Sequence, residues 1–390
     1  MGAEERQAGK AIKRQKSALC FSLLLVFAFL FLASAHGAPK AERYISYTNV
    51  VFPQIPLSIH VVKVDRTRED LRLHTTLGGG EVMGMGNVTD QLKALPAELG
   101  TPLAAINGDF YEKAKDYPGR PRDLQIRNGE VLTHPAGHAC FWIDADGTPR
   151  MTNVYSRFRV TWPDGNSTPF GLNVERTNGT AVLYSAVLGD STMTRGGIEY
   201  VLEGSPGCEW LPLGAGKTYE AVVRQMTTNG NSRLDRQTVV LSVSPELAAG
   251  LKPLKPGDRV KFALETTPAI VGVEVAIGGG PELVRAGQVM SWKGWIHVPH
   301  PRTAVGWNKD HIFLVQVDGR QLDVSLGMTF SELADFMLKL GCESAMNLDG
   351  GGSATLWAFG AVRNSPSEGQ ERPAPNALVV VKKSSPRQTR

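Results

Sequence analysis

Thr329-Phe-Ser-Glu-Leu-Ala-Asp-Phe-Met-Leu-Lys-Leu-Gly-Cys-Glu-Ser-Ala-Met-Asn-Leu-Asp-Gly-Gly-Gly-Ser353 is the stretch that decides how this chain is read. Leu333, Phe336, Met337 and Leu340 recur at helical spacing. Thr329 stands at the N-cap with Glu332 at the capping-box position, and Gly341 stands where a C-terminal glycine belongs. Residues 345–348 then read as a short buried strand that empties into Asn347 to Ser353. Three successive glycines let a backbone enter positive-φ regions and approach a ligand without Cβ interference, and Asn347, Asp349 and Ser353 keep polar groups beside it. A linker would be longer, more polar and not pinned on both sides. The loop therefore reads as a site, against the alternative of a plain turn that Asp349 merely caps.

Outward from this stretch, residues 312–317 form a strand that turns at Asp318-Gly319, and 378–381 a closing strand. Toward the N-terminus, 57–64 reads as a strand and 88–99 as a short helix broken at Pro96. Residues 102–106 read as a buried strand that ends at Asn107-Gly108-Asp109, and 125–133 as a hairpin around Asn128-Gly129. From about 151 to 267 the texture changes to short strand-like runs, clearest at 181–188, 199–202, 219–226 and 238–243, separated by Gly, Asn and Pro. The expected fold class is α+β: a mixed β-sheet core with few helices and an inserted β-rich module. The helix at 329–340 is expected to cross between two strands as in an α/β unit.

A chain of 390 residues with 42 Gly and 24 Pro is large enough for a full core and rich in turns. Arg6, Lys10, Lys13, Arg14 and Lys16 precede an apolar run over 18–32 and the small residues 33–35, the three-part pattern of a secretory signal peptide cleaved after Ala35. An uncleaved membrane anchor is the lesser alternative, and no later segment is apolar enough to span a bilayer. The expected location is secreted, periplasmic or cell envelope. Residues 1–35 hold five of the 42 Lys+Arg and two of the 38 Asp+Glu, so without them the formal charge falls from +4 to +1. Nucleic-acid binding through bulk charge loses its support. Cys140, Cys208 and Cys342 show no CxxC pair, which disfavours a zinc or redox motif and leaves any disulfide pairing open.

Four polar groupings close apolar runs: Asn107 with Asp109, Arg302-Thr303, Asp318, and Asn347 with Asp349 through Ser353. A fold that gathers strand ends would bring them to one cleft. Such a set suits an anionic substrate containing a sugar: Arg302 grips a phosphate by two parallel hydrogen bonds, glycine amides cradle an oxyanion, and carboxylates act at an acetal carbon. His297 and His300 invite a metal reading, but without a third His or Cys nearby the structural one is preferred. No cofactor is expected, with a divalent cation such as calcium left open. Trp292, Trp295 and Trp307 read as packing before sugar stacking, and Gly278-Gly279-Gly280-Pro281 as a second nest or a sharp loop.

The strings Ala105-Ile-Asn-Gly-Asp-Phe-Tyr, Pro301-Arg-Thr-Ala-Val-Gly, the glycine-loop string from Leu340 to Ser353, and Arg363-Asn-Ser-Pro-Ser-Glu-Gly-Gln-Glu-Arg-Pro closely resemble the phosphodiester glycosidase family. The resemblance implies hydrolysis of a sugar-1-phosphate diester at the glycosidic bond, by one domain over 44–383 with the β-rich insertion at about 151–267. It implies catalytic roles for Asp349, Asp318 and Arg302. Substrate contacts are expected from Asn107, Gly108, Asp109, Asn347, Gly350, Gly351, Gly352, Ser353, Asn364 and Arg372. Asp109 departs from the family, which often has glycine there. The partner expected is a phosphorylated glycan or sugar-1-phosphate diester. The rival readings are a metal-dependent phosphodiesterase that cleaves the phosphorus–oxygen bond, and a noncatalytic cell-surface glycan-binding protein.

Overall fold

The computed structural model describes residues 44–384, save 53, 113–116, 118 and 293–296. The leader expected at 1–35, and Trp295, lie outside these residues. The fully buried strand Arg302–Trp307 is the middle of a seven-stranded sheet. Its strand order is Ile45–Phe52, Leu57–Asp65, His311–Val317, Arg302–Trp307, Ser344–Asn347, Glu282–Arg285 and Gln288–Val289, antiparallel at every pairing. Strands His311–Val317 and Ser344–Asn347 both oppose the strand between them, so they run parallel to each other. The helix Phe330–Lys339 carries the chain across, as the sequence led one to expect.

That helix is specified locally. The Thr329 hydroxyl accepts the Glu332 N–H while the Glu332 carboxylate accepts the Thr329 N–H, and Gly341 closes the C-terminus at φ 87°. Its apolar face, Leu333, Ala334, Phe336 and Met337, is buried.

A second, five-stranded sheet runs Ala361–Val362, Leu356–Ala358, Thr101–Asn107, Ala377–Lys382, Leu71–Thr75. The two sheets share one core in which Val62, Val305, Leu314, Met346 and Leu348 meet Leu103, Ile106, Leu356, Leu378 and Val380. The short helix Val88–Lys93 covers the other face of the second sheet, with Val88 and Leu92 on Ala105, Val379 and Val381. The Arg302–Trp307 and Thr101–Asn107 strands thereby bring Arg302, Thr303 and Asn107 into one region.

A third sheet, Thr266–Thr267, Pro149–Ser156, Ala136–Ile143, Val275–Gly278, Gln125–Arg127 and Glu130–Thr133, carries the expected hairpin, with Asn128 and Gly129 at φ 52° and 78°. From it the chain leaves into a closed seven-stranded barrel whose strands lie between Arg159 and Ala263. Phe158, Phe170, Leu202, Tyr219 and Phe262 belong to its core, which is continuous with Leu124, Ile126 and Trp142 of the third sheet. A barrel of this size is filled by side chains.

The fold is thus β-rich with few helices and several sheets, as expected. Two local readings differ. The strand expected over 181–188 ends at Tyr184, because the Asn173 side chain takes the Ser185 N–H and residues Ala186–Leu188 turn as a 3₁₀ helix. At Asp318-Gly319 the positive φ falls on Arg320, at 60°, while Gly319 is needed for space: a Cβ there would lie 2.6 Å from the Pro301 nitrogen. Cys140, Cys208 and Cys342 are unpaired. No helix among the described residues is long and apolar enough to cross a membrane.

Thr329→Ala removes one half of the capping box and is expected to cost about 1 kcal/mol in urea unfolding, with Thr329→Ser close to the parent. An unchanged midpoint for the alanine variant would show that tertiary packing alone fixes this helix end.

Candidate active site

Asn107 is buried at the end of its strand and ties the glycine loop to both sheets. Its Oδ1 accepts the Thr303 hydroxyl at 2.7 Å and the Thr355 N–H at 3.0 Å, and its Nδ2 donates to the Asp349 carbonyl at 2.6 Å. Beside it, Asp349 N–H donates to the Gly108 carbonyl at 2.9 Å. Opposite, the Gly278-Gly279-Gly280-Pro281 segment lies along Asn347: Gly280 N–H donates to the Asn347 carbonyl, and Asn347 Nδ2 donates to the Gly280 carbonyl. This segment is one wall of the site, built by backbone contact.

The loop glycines are required for two different reasons. Gly351 alone of the three has positive φ, 60°, while a Cβ on Gly350 would lie 2.6 Å from the Pro301 carbonyl oxygen. The expected cradle of amides is largely spent within the protein. Gly350 N–H donates to Asp349 Oδ1, Gly351 N–H to the Pro301 carbonyl and Ser353 N–H to the Gly350 carbonyl. Few of these amides are left to bind an anion.

A cavity of about 760 Å³ opens over the loop. Of the residues that the sequence singled out, Asp349, Arg302, Asn347, Gly350, Gly351, Gly352 and Arg372 line it. Arg122, His138, Glu282, Arg320 and Trp292, which the sequence reading did not assign to the site, line it too. A groove of about 850 Å³ around Arg66, Arg72 and His74 is larger but contains none of the expected residues, so volume does not choose the site.

The chemistry of the cavity is set by charge. Arg302 is buried, its guanidinium 4.0 Å over the Phe330 ring, with Nε donating to the Met328 carbonyl and Nη2 to the Val298 carbonyl. Burial first, and then the Arg320 charge, pull its pKa down to about 10, and it stays protonated at neutral pH. No carboxylate among the described residues lies within ion-pair distance of Arg302 or Arg320. The His300 Nδ1 lies 3.4 Å from Arg320, and burial with both arginine charges holds this imidazole below its usual value. Glu282 is held by Arg285. Asn347 Oδ1 is buried without a hydrogen-bond partner.

Six expected residues do not reach the cavity. Asp318 is buried behind it, hydrogen-bonded to His60 Nε2 at 2.8 Å and accepting the Gln316 amide and the Ser365 N–H, so it fastens the 363–367 segment to the sheet. Asn107 and Gly108 hold the loop from beneath. Ser353 accepts from Arg372, and Asn364 clamps the Leu356 N–H and the Ala354 carbonyl. Asp109 is buried, its Oδ2 accepting the Asp123 N–H at 2.7 Å and its Oδ1 unpartnered. Of the tryptophans, Trp292 lines the cavity 6.0 Å from Phe330 and Trp307 packs in the core against Phe141.

With this geometry in view, similarity to known proteins is informative. Residues 216–381 match the family model of phosphodiester glycosidase. Over 79 residues, 20% of this chain, the sequence is 39% identical to the Bos taurus N-acetylglucosamine-1-phosphodiester alpha-N-acetylglucosaminidase. Over 97 residues, 25% of the chain, it is 36% identical to the SPbeta prophage-derived protein YomE of Bacillus subtilis (strain 168). Each aligned segment is 15% of that relative's length. Among solved structures, a Synechocystis protein superposes with TM-score 0.67 at 16% identity, covering 88% of this chain and 64% of that one. A Burkholderia pseudomallei K96243 protein superposes with TM-score 0.64 at 21% identity, covering 83% and 74%. These superpositions show the fold. The family match bears out the resemblance to the phosphodiester glycosidases that the sequence motifs carry.

Burial and the neighbouring Asp123 charge push the Asp109 carboxyl up to about 8. Its folded pKa thus lies above the unfolded value of about 3.9, so its contribution to stability is full below that pH and is lost as pH rises toward 8. Asp109→Asn cannot ionise and is expected to gain on the parent in urea midpoint steadily between about pH 4 and 8. Parallel curves for the two proteins would show that Asp109 ionises in the folded state as freely as in the unfolded one.

Proposed function

We propose that this chain is an exported hydrolase that cleaves the glycosidic carbon–oxygen bond of sugar-1-phosphate diesters in a glycan or glycoconjugate, releasing free sugar and leaving a phosphomonoester. The observation that supports it most is the presence, in one cavity, of two guanidiniums that no carboxylate among the described residues ion-pairs, Arg302 and Arg320, together with the carboxylate of Asp349. Arg302 is buried with no carboxylate in direct contact, only the Glu332 charge farther off, and a phosphodiester would supply a direct partner. Arg302 Nη1 and the remaining Nη2 hydrogen face that need, since its other donors are held by carbonyls.

The rest of the lining fits a sugar. Trp292 and Phe110 offer apolar faces, and Asn347 Oδ1 is an acceptor awaiting a hydroxyl. A diester phosphate is already a good leaving group, so the demand is for charge stabilisation of the departing oxygen more than for its protonation. Asp349 is the group assigned to attack on, or stabilisation of, the anomeric carbon. Its place rests on Asn107, which holds the Asp349 carbonyl.

The test is a screen of the protein against hexose- and N-acetylhexosamine-1-phosphate methyl diesters with the products identified. Free sugar and methyl phosphate are expected. Sugar 1-phosphate and methanol would mark a phosphodiesterase, and binding without turnover a glycan-binding protein. Asp349→Asn is expected to abolish turnover with the melting temperature kept. Arg302→Lys, which keeps the charge and loses the fork, should lower kcat/KM by about 10²–10³-fold. Near-parental rates for both variants would move the chemistry away from this loop.

A further inference from the structure

The proposed reaction needs a group that takes the proton of the attacking water, and Asp349 is assigned elsewhere. The cavity wall opposite in sequence to the glycine loop holds a candidate that no motif disclosed. His138, on the strand Ala136–Ile143, lines the cavity and is half exposed. Its Nδ1 lies 2.9 and 3.2 Å from the two carboxylate oxygens of Asp123. Asp123 is fully buried and is fixed from several sides: it accepts the Ala136 N–H and pairs with Arg122 Nε at 3.0 Å. Arg122 is itself fixed, donating to the Gly279 carbonyl and lying 4.4 Å over the Phe110 ring.

A carboxylate acceptor at Nδ1 places the hydrogen there and leaves Nε2 as a lone-pair acceptor. Nε2 has no hydrogen-bond partner among the described residues. We propose that His138 is the catalytic base of this cleft, with Asp123 as its positioning residue. The proposal rests on the glycosidase reading of the same site. As water attacks the anomeric carbon, Nε2 takes its proton. The electron pair of the breaking bond goes to the departing oxygen, which belongs to the phosphate in a single displacement or to Asp349 in the second step of a double one. The resulting imidazolium is stabilised by Asp123 and returns its proton to solvent.

The charged groups around His138 sustain this role. Asp109 lies against Asp123, and burial with the Asp123 charge pushes its carboxyl up to about 8. The other carboxylate near a base's position, Glu282, is buried and its charge is taken by Arg285 through both Nε and Nη2. Arg122 shares Asp123 with His138, and Cys140 lies buried behind it as a thiol whose pKa burial raises.

The experiment measures kcat/KM against pH, on a diester from the screen that the parent turns over, for the parent, His138→Gln, His138→Ala, Asp123→Asn and Glu282→Gln. His138→Gln is expected to lose about 10²–10⁴-fold in kcat with KM little changed, and to lose the acidic limb of the profile. Added imidazole is expected to restore part of the His138→Ala rate, and Glu282→Gln to keep the limb. Because Asp123 also holds backbone amides, its variant is read together with its melting temperature. Imidazole ¹⁵N chemical shifts of the parent, which need no turnover, are expected to show the Nδ1–H tautomer at His138. A parental profile for His138→Gln, or its loss in Glu282→Gln instead, overturns the assignment of His138 while the glycosidase reading stands. An Nε2–H tautomer overturns it as well. Absence of turnover on every diester, with the parent folded, overturns the glycosidase reading and this inference with it.

Discussion

The side-chain amide of Asn107 is the constraint on which the site depends. One buried group satisfies the Thr303 hydroxyl from the first sheet, the Thr355 N–H beyond the glycine loop and the Asp349 carbonyl within it. Loss of any partner inside the core leaves a buried polar group unpaired, at about 1–3 kcal/mol each, so the three segments hold one relative position or none. The loop is consequently rigid where its carboxylate is presented, and its amides serve the scaffold more than the ligand. On the proposed function, recognition of the phosphate then rests with the arginines around the loop.

Those arginines give the cavity its character. Arg302 is buried under aromatic and carbonyl contacts that cannot neutralise it, and Arg320 adds a second charge from a residue in left-handed conformation. Glu282, Asp123 and Glu368, three acidic groups near the cavity, are each paired with an arginine, Arg285, Arg122 and Arg372. Arg302 and Arg320, which no carboxylate among the described residues ion-pairs, line the same cavity as Asp349, and the proposed function puts the phosphate and the anomeric carbon there. The closed barrel between Arg159 and Ala263 contributes none of the cavity residues and joins the scaffold through the core it shares with the third sheet.

What the sequence disclosed were features fixed by local chemistry. A capping box, a helical apolar face and a terminal glycine specify the 330–339 helix within a dozen residues, and three glycines after a strand announce a tight loop. Arg302 was legible because a charge opening a buried strand is conspicuous. Arg122, Asp123 and His138 were not, since their meeting depends on how the Ala136–Ile143 strand registers in the third sheet, which no short pattern encodes. Arg320 was hidden by Gly319, the residue to which a turn would ordinarily assign positive φ. Asp318 misled for the same reason in reverse: a carboxylate at a strand end looks available until the neighbouring Leu57–Asp65 strand supplies His60 to bind it.

The central claim is that bond cleavage occurs at the sugar carbon, between a cationic phosphate site and the carboxylate of Asp349. Hydrolysis of a sugar-1-phosphate diester in oxygen-18 water, with both products weighed by mass spectrometry, addresses it directly. The account predicts one heavy oxygen in the released sugar, at its anomeric position, and none in the phosphomonoester. Heavy oxygen in the phosphate would contradict it, because water would then have attacked phosphorus.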